Sequence, residues 1–296
     1  MVDFSKELDS KELEIKTSPI DIYTESDRHS SAGQLRDAQS AVLNEWYQNH
    51  SDDKDVIIKL HTGEGKTLVG LLMLQSRLNM GKGPCIYVSP NIQLAEQVTE
   101  DADKFGIKYV FMGQNDDIPL DFQESRAILI TYVQKVFNGK TKFGLDNHSV
   151  NVGTFVLDDS HACIDAIRGA SIIKIKRESD AFKSLLTLFS QELRGQGEGQ
   201  FYKIENNLGT DDPMLIPYWG WIDKSSEVLS ILMKNEQEYG IMFTLPLLMN
   251  NLKKCSAYVT CKGIEIVPDF SLIQRFTSFY NAGQRIMMSA TTQDDS

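Results

Sequence analysis

The 296-residue chain lacks the long apolar runs and the cysteine framework of membrane and secreted proteins. No apolar stretch approaches the roughly 20 residues that a helix needs to cross a bilayer. Residues 1–7 contain no apolar signal core. The four cysteines are too few and too scattered for a disulfide framework or a metal cluster. These absences predict an intracellular, cytoplasmic protein in a reducing compartment, with no membrane partner, and they leave a nuclear location open.

Positive charge is also scarce, because the formal net charge is −11 at pH 7. A protein that coats nucleic acid by bulk electrostatics carries charge of the opposite sign. Any contact with DNA or RNA must therefore come from a local groove with backbone and hydroxyl donors. The length and the 41 % hydrophobic content suit one large core, or one core with a sizeable insertion.

A glycine-rich turn organises the chain. It lies between a β-branched run at 55–60, which is typical of a buried strand, and a segment at 68–74 with apolar residues at helical spacing. Backbone N–H groups of such a turn surround an anion, and the positive end of the next helix points at the same place. Lys66 would then reach the β- and γ-phosphates of a nucleotide, and the Thr67 hydroxyl would hold Mg²⁺. The predicted nucleotide-binding loop consists of Thr62, Gly63, Glu64, Gly65, Lys66 and Thr67.

The loop departs from the full phosphate-binding pattern at one position. Leu60 stands where the pattern has its first glycine. The alternative interpretation is therefore a plain glycine-rich turn followed by a chance Lys-Thr pair.

Short apolar strands alternate with amphipathic helices through the first half of the chain. This alternation is typical of a doubly wound, mainly parallel α/β sheet, in which ligands bind at the carboxyl ends of the strands. The glycine-rich turn and Asp158 both fall at such strand ends. The predicted strands are 55–60, 85–89, 106–111, 127–130, 154–157 and 284–288.

The alternation weakens between residues 162 and 280. Helices are predicted at 180–193, ending before the glycine run at 195–199, and again at 224–238 and 243–252. A strand pair is predicted around a turn at 261–263. The predicted organisation is a polar N-terminal arm at 1–30, the first part of a nucleotide-binding lobe at 31–161, a mostly helical insertion at 162–280 and a return strand at 281–296.

Two adjacent carboxylates, Asp158 and Asp159, follow the fifth predicted strand. A nucleotide-hydrolysing site needs an acid that holds Mg²⁺ and a group that orients the attacking water. Asp158 would hold the metal and Asp159 would handle the water. An Asp-Asp pair at a strand end is often only a turn, but its position after a phosphate loop, with His161 two residues on, favours a catalytic role.

These motifs, in this order, resemble those of superfamily 2 helicases of the DEAD/DEAH type. The loop at 62–67, the Asp-Asp-Ser-His segment at 158–161 and Ser-Ala-Thr at 289–291 are similar to motifs I, II and III. Segments 89–97, 130–132 and 35–39 are similar to motif Ia, to the segment after it and to the upstream glutamine motif. The resemblance implies a RecA-like P-loop NTPase fold, with a mainly parallel sheet flanked by helices and a largely helical insertion between motifs II and III. The chain would be the first RecA-like lobe.

The resemblance also implies roles for individual residues. Gln39 would read the adenine, which makes ATP the nucleotide, and Arg36 is a further implied cofactor-binding residue; the implied cofactors are ATP and Mg²⁺. His161, Ser289 and Thr291 would couple the phosphate state to a nucleic-acid groove. The implied catalytic residues are Lys66, Asp158, Asp159 and His161. The implied contacts with the sugar–phosphate backbone of a single DNA or RNA strand are Ser89, Pro90, Asn91 and Thr131. The ordinary alternatives are an exposed helix glutamine, a helix cap or core histidine, and plain helix-start and strand-end residues.

Three features depart from the family's pattern. Asp159 replaces the usual glutamate and is one methylene shorter, so we expect measurable but slow hydrolysis by the complete protein. The chain stops just past motif III, so we expect a second RecA-like lobe in a longer protein and little turnover by this part alone. The insertion lies where iron–sulfur helicases of the superfamily carry a helical arch, but their cysteine cluster is absent, which leaves a protein partner at the insertion open.

Two classes of function remain. The leading hypothesis is the nucleotide-binding half of an ATP-driven helicase or translocase on DNA or RNA. The alternative is a regulatory switch, in which ATP binding gates a partner protein with little unwinding. An unrelated P-loop kinase or transporter ATPase is disfavoured by the Ser-Ala-Thr segment and by Gln39.

Overall fold

The computed structural model describes residues 15–209 and 212–290. Within these ranges the strands are β1 (Asp55–Leu60), β2 (Cys85–Ser89), β3 (Tyr109–Phe111), β4 (Ile128–Tyr132), β5 (Thr154–Leu157), β6 (Ile173–Lys176), β7 (Met214–Leu215), β8 (Cys255–Val259), β9 (Gly263–Pro268) and β10 (Gln284–Ala290).

The α-helices of the same ranges are α1 (Pro19–Glu25), α2 (Asp37–Glu45), α3 (Lys66–Asn79), α4 (Ile92–Phe105), α5 (Leu120–Gln123), α6 (Val133–Val136), α7 (Ser160–Ala170), α8 (Asp180–Leu188), α9 (Ser190–Glu205), α10 (Tyr218–Asp223), α11 (Ser225–Lys234), α12 (Tyr239–Met242), α13 (Leu245–Leu248) and α14 (Thr277–Tyr280). A π-helical turn, Trp46–His50, continues α2.

The chain divides into two compact units. Unit 1 consists of residues 1–132, 151–163 and 281–296, and unit 2 of residues 133–150 and 164–280. Each unit has its own sheet.

The sheet of unit 1 has six strands in the order β1-β10-β5-β2-β4-β3, and every neighbouring pair is parallel. The mainly parallel α/β fold predicted from the sequence is therefore confirmed. The last strand of the described residues, β10, inserts between β1 and β5. This order brings the carboxyl ends of β1, β5 and β2 to one edge of the sheet, where ligands bind in such folds.

Helix α3 packs against the centre of this sheet. Six of its residues between Leu68 and Leu74 are buried hydrophobic side chains. Gly70 lets the helix come close, because a Cβ there would lie 2.9 Å from both Tyr87 and Met288. Buried Arg77 donates to the Thr154 hydroxyl at 3.0 Å and thereby ties the end of α3 to β5.

Helix α1 packs against this core, in a segment for which the sequence predicts a polar arm or short appended elements. Tyr23 is buried and packs edge-on against Phe105, with ring centroids 6.2 Å apart. The amide of His29 donates to the carbonyl of Lys104 at 2.9 Å. Ile20 and Ile22 pack partly buried against the same core, although the segment as a whole is polar.

Unit 2 combines helices with a four-stranded antiparallel sheet in the order β6-β9-β8-β7. The predicted strand pair is confirmed as β8 and β9, but the sequence missed β6 and β7. The predicted helix end at the glycine run is wrong, because α9 continues to Glu205 with a kink at Gly197. Phe201 and Ile204 are buried, so packing outweighs the low helix propensity of the glycines.

In the part of the chain that the structure describes, no helix combines the length and the apolar character needed to cross a membrane.

Candidate functional site

The glycine-rich turn joins β1 to α3 at the carboxyl edge of the sheet of unit 1. Gly63 and Gly65 have φ angles of +83° and +74°, which residues with a Cβ rarely adopt. Gly65 is the N-cap residue of α3, so Lys66 and Thr67 begin the helix. The turn therefore directs the positive end of a 14-residue helix at the space above the sheet.

Helix α2 holds the turn from the other side. The Arg36 guanidinium donates to the carbonyl of Gly63, and the Gln39 amide donates to the carbonyl of Gly65 at 3.2 Å. The Gln39 oxygen accepts from the Arg36 amide at 2.9 Å. Gln39 is buried, which excludes the alternative of an exposed helix glutamine. A Cβ on Gly65 would lie 2.5 Å from the Gln39 side-chain nitrogen, so this contact requires glycine.

Glu64 shapes the turn from within. Its carboxylate accepts a hydrogen bond from the His61 amide at 2.8 Å, and its own amide donates to the His61 carbonyl at 3.2 Å. Thr62 and Gly63 are left exposed at the tip of the turn. The sequence-predicted nucleotide-binding residues of α2 and the loop therefore form one cluster.

Asp158 lies at the end of β5, beside this cluster. Its amide donates to the Val88 carbonyl at 2.9 Å, which fixes the end of β5 against β2. Burial raises the pKa of the Asp158 carboxyl. The Tyr87 hydroxyl, the Asp159 amide and the Lys66 ammonium group offset part of this rise, because each favours the ionised form. Lys66 and Asp158 are therefore close enough to interact electrostatically.

Tyr87 is a further residue of this site that sequence reasoning missed. Its side chain is fully buried, with Asp158 and Thr67 as polar neighbours, and burial raises the pKa of its hydroxyl well above the ordinary value. The hydroxyl nevertheless lacks a well-formed hydrogen bond within the described residues. A polar-tipped residue in the otherwise aliphatic stretch before Ser89 is the signal that could have pointed to it.

The donor set suits a magnesium-bound nucleotide. Among residues 15–209 and 212–290 there is no group of three or more His, Cys, Asp or Glu side chains that could hold a metal ion by itself. Magnesium bound with a nucleotide takes only one or two protein ligands and fills its octahedron with phosphate oxygens and water. The Thr67 hydroxyl and the Asp158 carboxylate, with a buried unsatisfied hydroxyl beside them, fit that requirement.

Asp159 and His161 lie at the start of α7, and both are exposed. Asp159 has a φ angle of +45°. Its carboxylate accepts from the Ala162 amide at 3.4 Å, and its carbonyl accepts from the Cys163 amide at 2.9 Å. Asp159 thus also caps α7, whichever part it takes in chemistry.

Ser289 and Thr291 are predicted, with His161, to couple the phosphate state of the nucleotide to nucleic-acid binding. The structure describes only the first of these two residues. Ser289 is buried at the end of β10, and its hydroxyl donates to the carbonyl of Ala290 at 3.1 Å. Thr291 lies outside the described residues.

The residues predicted to contact nucleic acid lie at the ends of β2 and β4, which pair in parallel. Thr131 is fully buried, so its side chain has no exposed surface for a ligand. Its hydroxyl donates to the Met112 carbonyl at 2.8 Å. Ser89 and Pro90 are buried as well. Asn91 caps α4 by accepting from the Leu94 amide at 3.0 Å. The four residues are neighbours, and their contact with a nucleic-acid backbone stays a prediction.

A parallel sheet with a glycine-rich phosphate loop and an acid at its carboxyl edge defines a RecA-like P-loop ATPase lobe. The sequence model of the DEAD/DEAH box helicase domain matches residues 36–190. Since this match covers more than half of the 296 residues, the chain belongs to the DEAD/DEAH box helicase family.

A solved structure supports the same fold. The structure of S. tokodaii Xpd4 aligns with a TM-score of 0.51 at 14 % identity, covering 88 % of this chain and 60 % of that one. An XPD helicase structure aligns with a TM-score of 0.47 at 14 % identity, covering 86 % of this chain and 58 % of that one. The chain thus spans about 60 % of the length of the first of these proteins. No curated protein matches this chain in sequence.

Proposed function

We propose that this chain is the ATP-binding lobe of a nucleic-acid-dependent ATPase that hydrolyses ATP with Mg²⁺ and moves on DNA or RNA. The observation that carries the proposal is that Thr67 and Asp158 are the polar neighbours of the buried Tyr87 hydroxyl, and that Lys66 lies within electrostatic range of Asp158. These groups come from three elements, the start of α3, the end of β5 and the middle of β2, and together they suit a magnesium-bound triphosphate.

Each residue of the cluster has a distinct task in this proposal. Lys66 binds the β- and γ-phosphates, and the amides of the glycine turn bind the remaining phosphate oxygens. Gln39 and Arg36 hold the turn and contact the adenine. Thr67 and Asp158 hold the magnesium ion, which neutralises the charge that develops on the phosphates.

Nucleic acid is the proposed second ligand of the complete protein. We place the sugar–phosphate backbone of a single strand at Ser89, Pro90 and Asn91, where the N-terminus of α4 offers backbone amides. A second RecA-like lobe in the same longer protein completes the site, and the chain alone turns over little ATP. A protein partner at the insertion and an intracellular, cytoplasmic location complete the proposal.

The test is an ATPase assay of the full-length protein, with and without single-stranded DNA and RNA. We expect hydrolysis that requires Mg²⁺, is stimulated by nucleic acid and falls at least about 100-fold in Lys66→Ala. Lys59→Ala, which removes an exposed lysine from the strand before the loop, is the matched control. A rate that nucleic acid leaves unchanged would contradict the motor proposal, and so would robust ATPase activity of this chain alone.

The regulatory switch remains the second candidate, and Asp159 is the observation that favours it. The carboxylate expected to orient water is exposed and engages the amide of Ala162. A slow ATPase that gates a partner protein would result. Asp159→Glu separates the two candidates, because a motor should gain several-fold in rate when the longer side chain reaches the water. An unchanged, nucleic-acid-independent rate supports the switch.

A further inference from the structure

The turn that joins β5 to α7 carries Asp158 and Asp159, and its backbone is strained. Asp159 has a φ angle of +45°, in the left-handed region that residues with a Cβ rarely adopt. Such a conformation costs free energy and persists only where the surrounding structure holds it in place. The hydrogen bonds around the turn should therefore show which groups hold it.

The thiol of Cys163 is one of these groups. Cys163 is fully buried in the first turns of α7. Its Sγ lies 3.0 Å from the carbonyl oxygen of Asp158 and 3.7 Å from that of Val88, so the S–H group can donate to either oxygen. The Asp158 amide donates to the same Val88 carbonyl at 2.9 Å. The sulfur atom therefore lies where the end of β2, the end of β5 and the start of α7 meet.

The peptide group between Asp158 and Asp159 is held at both of its ends. Its carbonyl oxygen is the one that accepts from the Cys163 thiol. Its N–H group, which belongs to Asp159, lies close enough to the Asp158 carboxylate to favour the ionised form of that carboxylate. A rotation of this peptide plane would turn the N–H group away from the carboxylate and would also shift the Asp159 side chain. The orientation of one peptide plane therefore affects the position of both carboxylates.

The backbone of α7 contacts the same turn, but at other atoms. The Asp159 carbonyl accepts from the Cys163 amide at 2.9 Å, and the Asp159 carboxylate accepts from the Ala162 amide at 3.4 Å. Neither of these two amides donates to the Asp158 carbonyl. Because the Cys163 amide is retained when the side chain is substituted, the contribution of the thiol can be measured by itself.

The Asp158 carboxylate faces a place that suits a ligand. Asp158 and Thr67 are polar neighbours of the Tyr87 hydroxyl, which is buried and has no well-formed hydrogen bond within the described residues. A buried hydroxyl without a partner is rare in folded proteins and indicates a ligand or an ordered water. The thiol contacts the main chain of Asp158, so it acts on this place through the peptide group.

We propose that Cys163 is a positioning residue for the magnesium and water sites. Its thiol holds the peptide between Asp158 and Asp159, so that the first carboxylate meets the metal and the second faces the attacking water. The inference rests on the proposed ATPase function and adds a residue that contacts neither nucleotide nor metal. A cysteine suits this task because its side chain is small and apolar enough for a buried position, yet it retains one hydrogen-bond donor.

The first test measures the turn in the free full-length protein, without nucleotide. In hydrogen exchange, we expect Cys163→Ala to speed the exchange of the amides of residues 158–163 at least about threefold, because the turn loses one of its hydrogen bonds. Cys163→Ser, whose hydroxyl can donate to the same carbonyl, should stay close to wild type. Cys85→Ala removes another fully buried thiol from unit 1 and is the matched control. Identical exchange of this segment in Cys163→Ala and wild type would overturn the proposal.

The second test separates positioning from stability, in ATPase assays of the full-length protein with single-stranded nucleic acid present. We expect Cys163→Ala to raise the Mg²⁺ concentration at half-maximal activity several-fold and to lower kcat at saturating Mg²⁺ about tenfold. The KM for ATP should stay within about twofold, since the glycine turn and Lys66 supply most of the binding. Cys163→Ser should recover at least about half of each loss, and Cys85→Ala should match wild type.

The outcomes distinguish this inference from the proposed function. If the full-length wild type hydrolyses no ATP, the proposed function fails and this inference fails with it. If the wild type is active but Cys163→Ala keeps the wild-type magnesium requirement, or Cys163→Ser recovers nothing, only the inference about Cys163 fails. Thermal unfolding of each variant identifies a loss of folded protein, which would lower kcat but leave the magnesium requirement unchanged.

Discussion

Asp158, the proposed metal ligand, is a carboxylate whose burial opposes folding. Burial raises its pKa, so the folded state holds the proton more tightly than the unfolded state does. The ionised carboxylate therefore opposes folding at neutral pH, and this penalty disappears as the pH falls through the raised pKa. A metal-binding role, as proposed for Asp158, would account for a residue that lowers stability.

Asp158→Asn should consequently separate stability from activity. We expect the thermal transition of the free protein to rise by about 1–3 °C at pH 7.5, while ATPase activity falls at least about 100-fold. Differential scanning calorimetry between pH 5 and pH 8 checks the sign, since the advantage of the variant must shrink as the pH falls. A variant less stable than wild type throughout this range would contradict the assignment of burial as the cause.

Tyr87 gives a second test at the scale of one hydroxyl. Within the described residues its buried O–H lacks a well-formed partner, so Tyr87→Phe removes an unsatisfied polar group and should leave the melting temperature equal or higher. We expect the Mg²⁺ concentration at half-maximal ATPase activity to rise several-fold, because Asp158 loses the neighbour that favours its ionised form. The control is Tyr109→Phe, whose hydroxyl donates to Asp103 at 3.1 Å on the surface. An unchanged magnesium requirement would assign Tyr87 to packing alone.

At the scale of elements, the connection between β1 and α3 depends on two independent properties of Gly65. The residue has a positive φ angle, and it leaves space for the Gln39 amide. Gly81, just after α3, shares the positive φ angle, but a Cβ added there would meet no other atom within 4 Å. Substitutions at Gly65 and Gly81 therefore distinguish the effect of backbone strain from the effect of disturbing the Gln39 contact.

Gly65→Ala should lower nucleotide affinity at least about tenfold, whereas Gly81→Ala should leave it unchanged. Each substitution adds strain of ~1 kcal/mol from the left-handed backbone conformation. This common strain should lower the melting temperature of both variants by a similar amount. Titration with a fluorescent ATP analogue and a thermal melt measure the two effects. The clash should lower the melting temperature of Gly65→Ala beyond that of Gly81→Ala, and this excess should shrink when both variants also carry Gln39→Ala.

The elements that the sequence predicted well are those determined locally. The glycine turn, β5 and the β8–β9 pair carry their own signals in periodicity and turn residues. Strands β6 and β7 are only four and two residues long, and they exist because β9 and β8 pair with them, which no local pattern reveals. The neighbourhood of Tyr87 and Asp158 likewise depends on β2 lying beside β5, a matter of strand order.

At the scale of the whole molecule, two units with separate cores should respond separately to ligand. A nucleotide that binds only the folded form of unit 1 stabilises it by mass action. In hydrogen exchange with Mg²⁺ and a non-hydrolysable ATP analogue, we expect protection to increase at residues 62–67 and along α3. The amides of β8 and β9 should exchange as before. Equal protection of both units would show that their stabilities are coupled.

The packing of α1 also bears on where the catalytic lobe can be cut. A shortened protein beginning at residue 31, just ahead of the glutamine motif, would lack Tyr23. The Phe105 ring, against which Tyr23 packs, would then be more exposed to solvent. Gly106, whose missing side chain admits the carbonyl of Asp27, would face solvent. Such a fragment retains the recognisable helicase motifs of the lobe. The newly exposed aromatic surface at Phe105 would nevertheless favour aggregation during expression.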